Sequence, residues 1–133
     1  MVSKKSKRAN RYGTLAEKQM AEKWHLTREG VHTYWRDAVD PRDGTPWELK
    51  AAVVETASGR PGRFRVREHA HAQLVEHDGR YGFAVYRRVG RGIRIPRYRA
   101  LPADQLPVSG WYGASDGGDD HNHTKIALGD VFE

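Results

Sequence analysis

The sequence predicts an α/β fold with a mixed central β-sheet flanked by helices, and three observations predict it. Apolar residues recur at helical spacing near the N-terminus, at Met20, Ala21 and Trp24. Two runs rich in strand formers then flank a Pro-, Asp- and Gly-containing turn at 41–44. Finally, a strand, helix, strand order follows, with a crossover long enough for right-handed parallel pairing.

The 133 residues suffice for about one domain with a real core. The expected organisation is a flexible basic arm over residues 1–11, then one domain over 12–133 with a core at about 12–90 and a C-terminal extension at about 91–133. The arm carries Lys4, Lys5, Lys7, Arg8 and Arg11 with no large apolar side chain after Val2. A helix is expected over 14–26, opened by a capping box at Thr14, Leu15, Ala16 and Glu17. Two readings of Glu17 stand side by side. It leads the apolar face, three, four and seven residues before Met20, Ala21 and Trp24, and so leans toward the core, or it only reaches back to the Thr14 backbone.

Strands are expected over 31–39 and 45–55, joined by the 41–44 turn. A Gly/Pro-rich loop with Arg60 and Arg63 follows, then a helix over 65–77 with Val66, Ala70 and Leu74 at a spacing of four. Asp78-Gly79 stops that helix, and the strand 81–86 comes next. Gly90-Arg91-Gly92 turns into 93–99, where Arg94, Arg97 and Arg99 form a second candidate phosphate-facing surface and Pro96 argues for a sheet edge. Beyond this the chain shows little periodicity, although Ile126, Leu128, Val131 and Phe132 hint that its end caps the core. Trp24, Trp35 and Trp47 read as core aromatics.

A net charge of +6 favours a polyanionic partner, nucleic acid ahead of an acidic membrane. There is no cysteine, which removes disulfides, thiolate metal sites and thiol nucleophiles. Any metal must therefore be held by carboxylates, imidazoles or carbonyls, a chemistry suited to magnesium or manganese. No apolar run approaches a membrane span and no signal core is present, so a cytoplasmic protein is expected.

The stretch from Trp35 to Lys50 carries the chemistry. With the turn at 41–44, Asp40 pairs with Thr45 and Asp37 lies across from Glu48, with Cβ atoms about 4.5–5.5 Å apart. Like charges so placed destabilise a sheet unless a cation or a proton sits between them. Glu48 and Lys50 share a strand face, while Trp47, Leu49 and Ala51 face the other layer. Two carboxylates to hold a divalent ion, and an ammonium to orient water or offset developing charge, suit phosphodiester hydrolysis. Asp40 and Asp43 read as turn formers, though a bulge would change the parity. His69 and Gln73 sit one helical turn apart and read as a solvated face, with contact to a scissile phosphate as the alternative. Asp119, Asp120, His121, Asn122 and His123 read as a solvated loop, with a metal site as the alternative. Tyr98 is a candidate for stacking on an unpaired base.

Taken together, a helix with Glu17, then Asp37, then Glu48-Leu49-Lys50, then a basic loop and helix leading to Gly-x-Phe-Ala-Val-Tyr resembles the PD-(D/E)xK nuclease superfamily. Arg11-Tyr12-Gly13 with Glu17, and the 65–73 segment, are most similar to archaeal Holliday-junction resolvases, and the likeness spans about 10–88. The resemblance implies a restriction-endonuclease-like core, with Glu17, Asp37 and Glu48 as metal ligands and Lys50 as the catalytic lysine. It also implies a magnesium- or manganese-dependent DNA endonuclease that commonly works as a homodimer, here possible on branched or four-way-junction DNA, leaving a 5′ phosphate. Lys4, Lys5, Lys7, Arg8, Arg11, Arg60, Arg63 and Arg67 are the candidate DNA-contacting residues. Arg36 stands where the family usually has proline and the Asp37-to-Glu48 spacing is short, which keeps Asp40 and Asp43 open as substitutes for Asp37. The rival from another class is a non-catalytic, basic nucleic-acid-binding module. A third reading is a regulatory protein that uses the 119–123 loop for a transition metal.

Overall fold

Lys, Arg, Ser, Ala and Asn make up most of the chain before Gly13, with no proline among them, and such residues sustain a helix once it has started. In the computed structural model, which describes residues 4–28, 35–112 and 122–132 and side chains from residue 11 onward, the backbone is helical from Lys4. Helix α1 (Lys4–Lys23) therefore absorbs most of the segment expected as a basic arm, and it starts ten residues before Thr14. Thr14 is an exposed residue inside the helix, and the capping-box reading of Glu17 falls away with it. The face that α1 buries holds Tyr12, Ala16, Met20 and Ala21, a stripe with helical spacing.

The helix ends earlier than expected because His25 takes a left-handed conformation, φ 56°. The amides of His25 and Leu26 donate to the carbonyls of Glu22 and Ala21, satisfying groups the helix end would leave orphaned. Helix α2 (Glu68–Glu76) stops by the same device. Asp78 is left-handed at φ 54°, and the amides of Asp78 and Gly79 donate to Val75 and Leu74. The expected Asp78-Gly79 stop is thus borne out.

Among the described residues, five strands form one mixed sheet in the order β1 (Thr27–Arg28), β2 (Ala38–Val39), β3 (Pro46–Val53), β5 (Arg80–Val89), β6 (Gly92–Pro102). β3 and β5 run parallel and the other neighbours antiparallel, as the strand, helix, strand order predicted. β6 lies at the sheet edge, the position that Pro96 had suggested. The strand expected over 31–39 is much shorter. Only Ala38 and Val39 pair as strand, residues 35–37 do not, and 31–34 lie outside the described residues.

The helix expected over 65–77 is split. Its first part is the strand β4 (Arg63–Arg67), whose Arg-Phe-Arg-Val-Arg sequence alternates exposed and buried with period two. β4 pairs antiparallel with β7 (His123–Ala127) in a separate two-stranded sheet. The spacing of Val66, Ala70 and Leu74 satisfied helical periodicity across a real strand–helix boundary, because all three are buried.

β5 is the spine of the molecule, buried without interruption from Tyr81 to Tyr86. Alternation along it separates two apolar clusters. Tyr81, Phe83 and Val85 face a core completed by Phe64, Val66, Leu74, Val131 and Phe132, whereas Ala84 and Tyr86 face the layer under α1. The C-terminal segment caps the first cluster: Ile126, Val131 and Phe132 are buried and Leu128 packs beside them. Arg97 and Arg99 donate to the carbonyls of Phe132 and Val131 in helix α3 (Leu128–Phe132). These two arginines therefore tie down the last helix. No helix among the described residues is long and apolar enough to cross a membrane.

Two substitutions test this account. Thr14→Ala should stabilise the protein by about 0.5 kcal/mol in urea unfolding, as expected for a mid-helix site, where loss of a genuine N-cap would cost about 0.5–2 kcal/mol. At Gly82 a Cβ would lie 2.6 Å from Trp24 Cζ3 and 3.0 Å from Leu49 Cδ2. Gly82→Ala should accordingly cost about 1–3 kcal/mol by overpacking the α1 layer.

Candidate functional site

The tight turn after β2 sets the register on which the site depends. Asp40 is buried, and its carboxylate accepts bonds from the backbone amide, Nε and Nη2 of Arg42 at 2.8–2.9 Å. These bonds hold the Asp40 carboxyl below its ordinary range. Asp43 Oδ1 accepts from the Thr45 amide at 2.9 Å, and Gly44 takes the positive φ of 76° that closes the turn. Asp40 N–H donates to Thr45 O at 2.9 Å. Both aspartates are turn formers, as expected, and Asp40 is committed to Arg42.

From that turn the ladder runs outward through Val39 opposite Pro46 and Ala38 opposite Trp47. The paired register ends there, one residue short of the expected Asp37–Glu48 pair. Asp37 N–H donates to Trp47 O at 2.8 Å, and Asp37 Oδ2 accepts from the Leu49 amide at 2.8 Å. Asp37 acts on the Glu48 carboxyl both as a hydrogen-bonding neighbour and as a charge.

Burial pushes the Glu48 carboxyl well above the usual carboxylate range, Lys50 pulls it back, and the Asp37 bond and the charges of Asp37 and Glu17 push it further up. Glu48 is only 7% exposed. Glu17 reaches the same neighbourhood from α1. Its pKa is pushed up to about 7 by burial first and by Asp37 next, against the opposing pull of Arg28 and Lys50. Arg28 Nη2 stands 3.6 Å from Glu17 Oε2. The four predicted residues Glu17, Asp37, Glu48 and Lys50 thus share one electrostatic neighbourhood at the β2–β3 hairpin.

Two further neighbours escaped the sequence reading. Tyr81 is paired in register with Glu48 on the parallel strand β5, and burial together with Glu48 pushes its phenol up. Its hydroxyl lies 2.8 Å from His71 Nδ1, and the two rings stack. Burial lowers the His71 pKa. The signal was the helical placement of His71 one residue from Ala70, on the inward side of α2, but it needed a correct start for that helix. His69 is exposed, and Gln73 is half-buried.

The remaining candidates disperse. Tyr98 packs edge-on to Trp24 at 5.8 Å with Lys23 Nζ 4.7 Å over its ring, so its face is covered and the base-stacking reading is corrected. In the 119–123 loop, residues 119–121 lie outside the described residues. Asn122 donates to Glu68 Oε1 at 2.9 Å, and His123 belongs to β7. Arg11, Arg60, Arg63 and Arg67 are exposed, while the side chains of Lys4, Lys5, Lys7 and Arg8 lie outside the described residues.

Among the described residues, no three acidic or imidazole groups are already gathered into a closed metal cage. The donor set nevertheless fits a hard divalent cation. It offers carboxylate oxygens and no sulfur, and a cation would offset the mutual repulsion of its central pair. Magnesium and manganese are the ions that such oxygen ligands suit.

A mixed sheet that presents an Asp opposite a Glu-x-Lys on a hairpin, flanked by helices on both faces, is the restriction-endonuclease-like fold. A sequence model of the PD-(D/E)XK nuclease superfamily domain matches residues 3–133, and the chain belongs to that superfamily. The match extends well past the 10–88 span in which the resemblance is legible by eye. Comparison with curated proteins gives no match. Members of the superfamily are nucleases that act on nucleic acid and generally use divalent metals.

The metal-free protein should lose stability as pH rises. A carboxyl whose folded pKa lies above its unfolded value binds a proton in the folded state that the unfolded chain has already released, so its contribution is complete at about 4.5 and is lost on the way to about 7 for Glu17. Glu48 acts in the same direction. Thermal melts in chelator should fall by several degrees across this window. Glu17→Gln and Glu48→Gln should each flatten the slope, and magnesium should restore wild-type stability at the upper end.

Proposed function

We propose that this chain is a divalent-metal-dependent DNA endonuclease whose ion is held by Asp37 and Glu48 with Glu17, and whose Lys50 serves the reaction. One observation carries the reading: a buried glutamate beside an aspartate at a hairpin, with a lysine on the same strand face and a second glutamate pushed up to about 7 beside them. A purely structural role gives no return for desolvating two glutamates beside a third carboxyl. A magnesium or manganese ion, when bound, offsets their charge, polarises the scissile phosphate and acidifies water.

The protein's own residues then divide the work. The Leu49 amide orients Asp37 through Oδ2, which fixes the direction in which the remaining oxygen points. Glu48 is immobilised by burial and by its strand, so its carboxyl requires little reorganisation on meeting a cation. Lys50 follows two residues on and projects to the same side, where its ammonium can contact a phosphate oxygen or orient water. Arg28 beside Glu17 adds positive charge at the rim. The expected product carries a 5′ phosphate, by analogy with the superfamily.

Within this reading, resolution of four-way-junction DNA by a homodimer is the sharper version. It rests on the likeness of the Arg11-Tyr12-Gly13 start and of the 65–73 segment to archaeal resolvases. Part of that likeness has a packing role, since Tyr12 is buried, donates to Gly90 O at 3.2 Å and lies under Arg88.

The test is cleavage of end-labelled duplex, single-stranded, flapped and four-way-junction DNA with magnesium or manganese and with chelator. Glu48→Ala and Lys50→Ala should each lower metal-dependent cutting by about 100-fold or more, while Glu48→Ala keeps its affinity for DNA. Paired symmetric cuts confined to the junction would select the resolvase version. Tight binding without cutting on every substrate, in either metal, would replace the proposal with the nucleic-acid-binding module.

A further inference from the structure

The two-stranded sheet β4–β7 carries a second conflict of like charges, of opposite sign to the first. Phe64 and Val66 point inward and are almost completely buried, which sends Arg63, Arg65 and Arg67 outward. On β7, Thr124 and Ile126 point inward and Lys125 outward. The register sets Arg65 directly opposite Lys125. Like charges facing each other across strands are destabilising, and a lone pair of strands is marginal to begin with.

None of Arg63, Arg65, Arg67 and Lys125 forms an ion pair with a carboxylate among the described residues, and Glu68, the acid next to Arg67, accepts from Asn122 instead. The charges do not stop at the strands. Ser58, Arg60, Arg63, Arg65, Lys125 and Gly129 line one open groove of about 990 Å³.

We infer that this groove holds the sugar–phosphate backbone of duplex DNA, at a distance from the hairpin site. Arginine and lysine with a hydroxyl and backbone amides are the groups that contact phosphates, and neutralising phosphates with them releases counterions. The groove has no aromatic residue in its lining, so it has no platform for the unstacked bases of a single strand. Its position relative to the hairpin follows from the sheet. Gly62 N–H donates to Val54 O at 3.4 Å, which anchors the loop before β4 at the far end of β3. Six residues of strand separate Val54 from Glu48, about 20 Å at 3.3 Å per residue, or roughly six base pairs of duplex at 3.4 Å each. A duplex engaged at the hairpin would thus reach the groove with backbone well away from the scissile bond.

The inference rests on the nuclease reading only for the identity of the polyanion, and its test is independent of turnover. Binding of a labelled duplex is measured by fluorescence anisotropy, in chelator and over a salt series, for wild type, Arg65→Ala/Lys125→Ala, and the charge-preserving Arg65→Lys/Lys125→Arg. The alanine pair should weaken binding on the order of tenfold or more near 0.1 M salt and reduce the slope of log K against log salt by about 1.8, two contacts at 0.9 each. The charge-preserving pair should keep the wild-type slope. Because removing opposed charges relieves the ribbon, the alanine pair should melt no lower than wild type. An unchanged slope and affinity in the alanine pair would overturn the inference, as would a loss that the charge-preserving pair fails to restore. Cleavage with an unchanged slope would sink the groove and leave the nuclease standing, and a changed slope without cleavage would do the reverse.

Discussion

Asp37 and Glu48 come together at a hairpin whose first strand is only two residues long, and the surrounding packing fixes Glu48 in place. The turn is locked from within by Asp40 on Arg42, Asp43 on Thr45 and the left-handed Gly44. A slip of one residue would turn Glu48 and Lys50 to the α1 layer and bring Trp47 and Leu49 out of it. The apolar packing of Trp47 and Leu49 therefore enforces the position of the carboxyls. Lys50 nearby offsets part of the repulsion between the two carboxyls, and a divalent ion would offset the rest.

The central strand β5 connects this site to the rest of the protein. Its uninterrupted burial gives Glu48 a rigid neighbour on the parallel side, and Tyr81 extends that contact to His71 on α2. The element that covers this face is the segment 122–132 together with β4, so the last residues of the chain help to close the layer on which the site's strand rests. Arg97 and Arg99 secure that closure by bonding carbonyls at the end of α3.

Charge is arranged against stability in two places, and the two places are complementary. Carboxyls are opposed at the hairpin, and Arg65 is opposed to Lys125 on the ribbon. In the proposed complex a cation occupies the first and a phosphate backbone the second, so a single bound duplex with its metal relieves both. Fold stability comes instead from the two apolar clusters on either side of the sheet, which contain few charged groups. This division of labour is common where a site must hold charges that would be costly in a core.

Local patterns were legible wherever a short stretch determined them. The 41–44 turn, the nearness of Asp37 to Glu48 and the shared face of Glu48 and Lys50 follow from turn chemistry and the period of two, which act over a dozen residues. The parallel β3–β5 pair and the edge position of β6 follow from connection length and from Pro96. Element boundaries were not legible where neighbouring elements face the same core. Val66, Ala70 and Leu74 fit one helix by spacing although Val66 lies in a strand, because burial alone does not distinguish the two periods over so few residues. The start of α1 was hidden by its charge, since a basic helix and a basic arm have the same composition until packing on one face selects the helix. By itself the sequence determined which carboxyls meet on the hairpin and the class of chemistry they suit. Only the tertiary structure decided that Glu17 joins them, that Arg97 and Arg99 serve the chain end, and that Arg65 faces Lys125, because each of these depends on contacts between segments far apart in the chain.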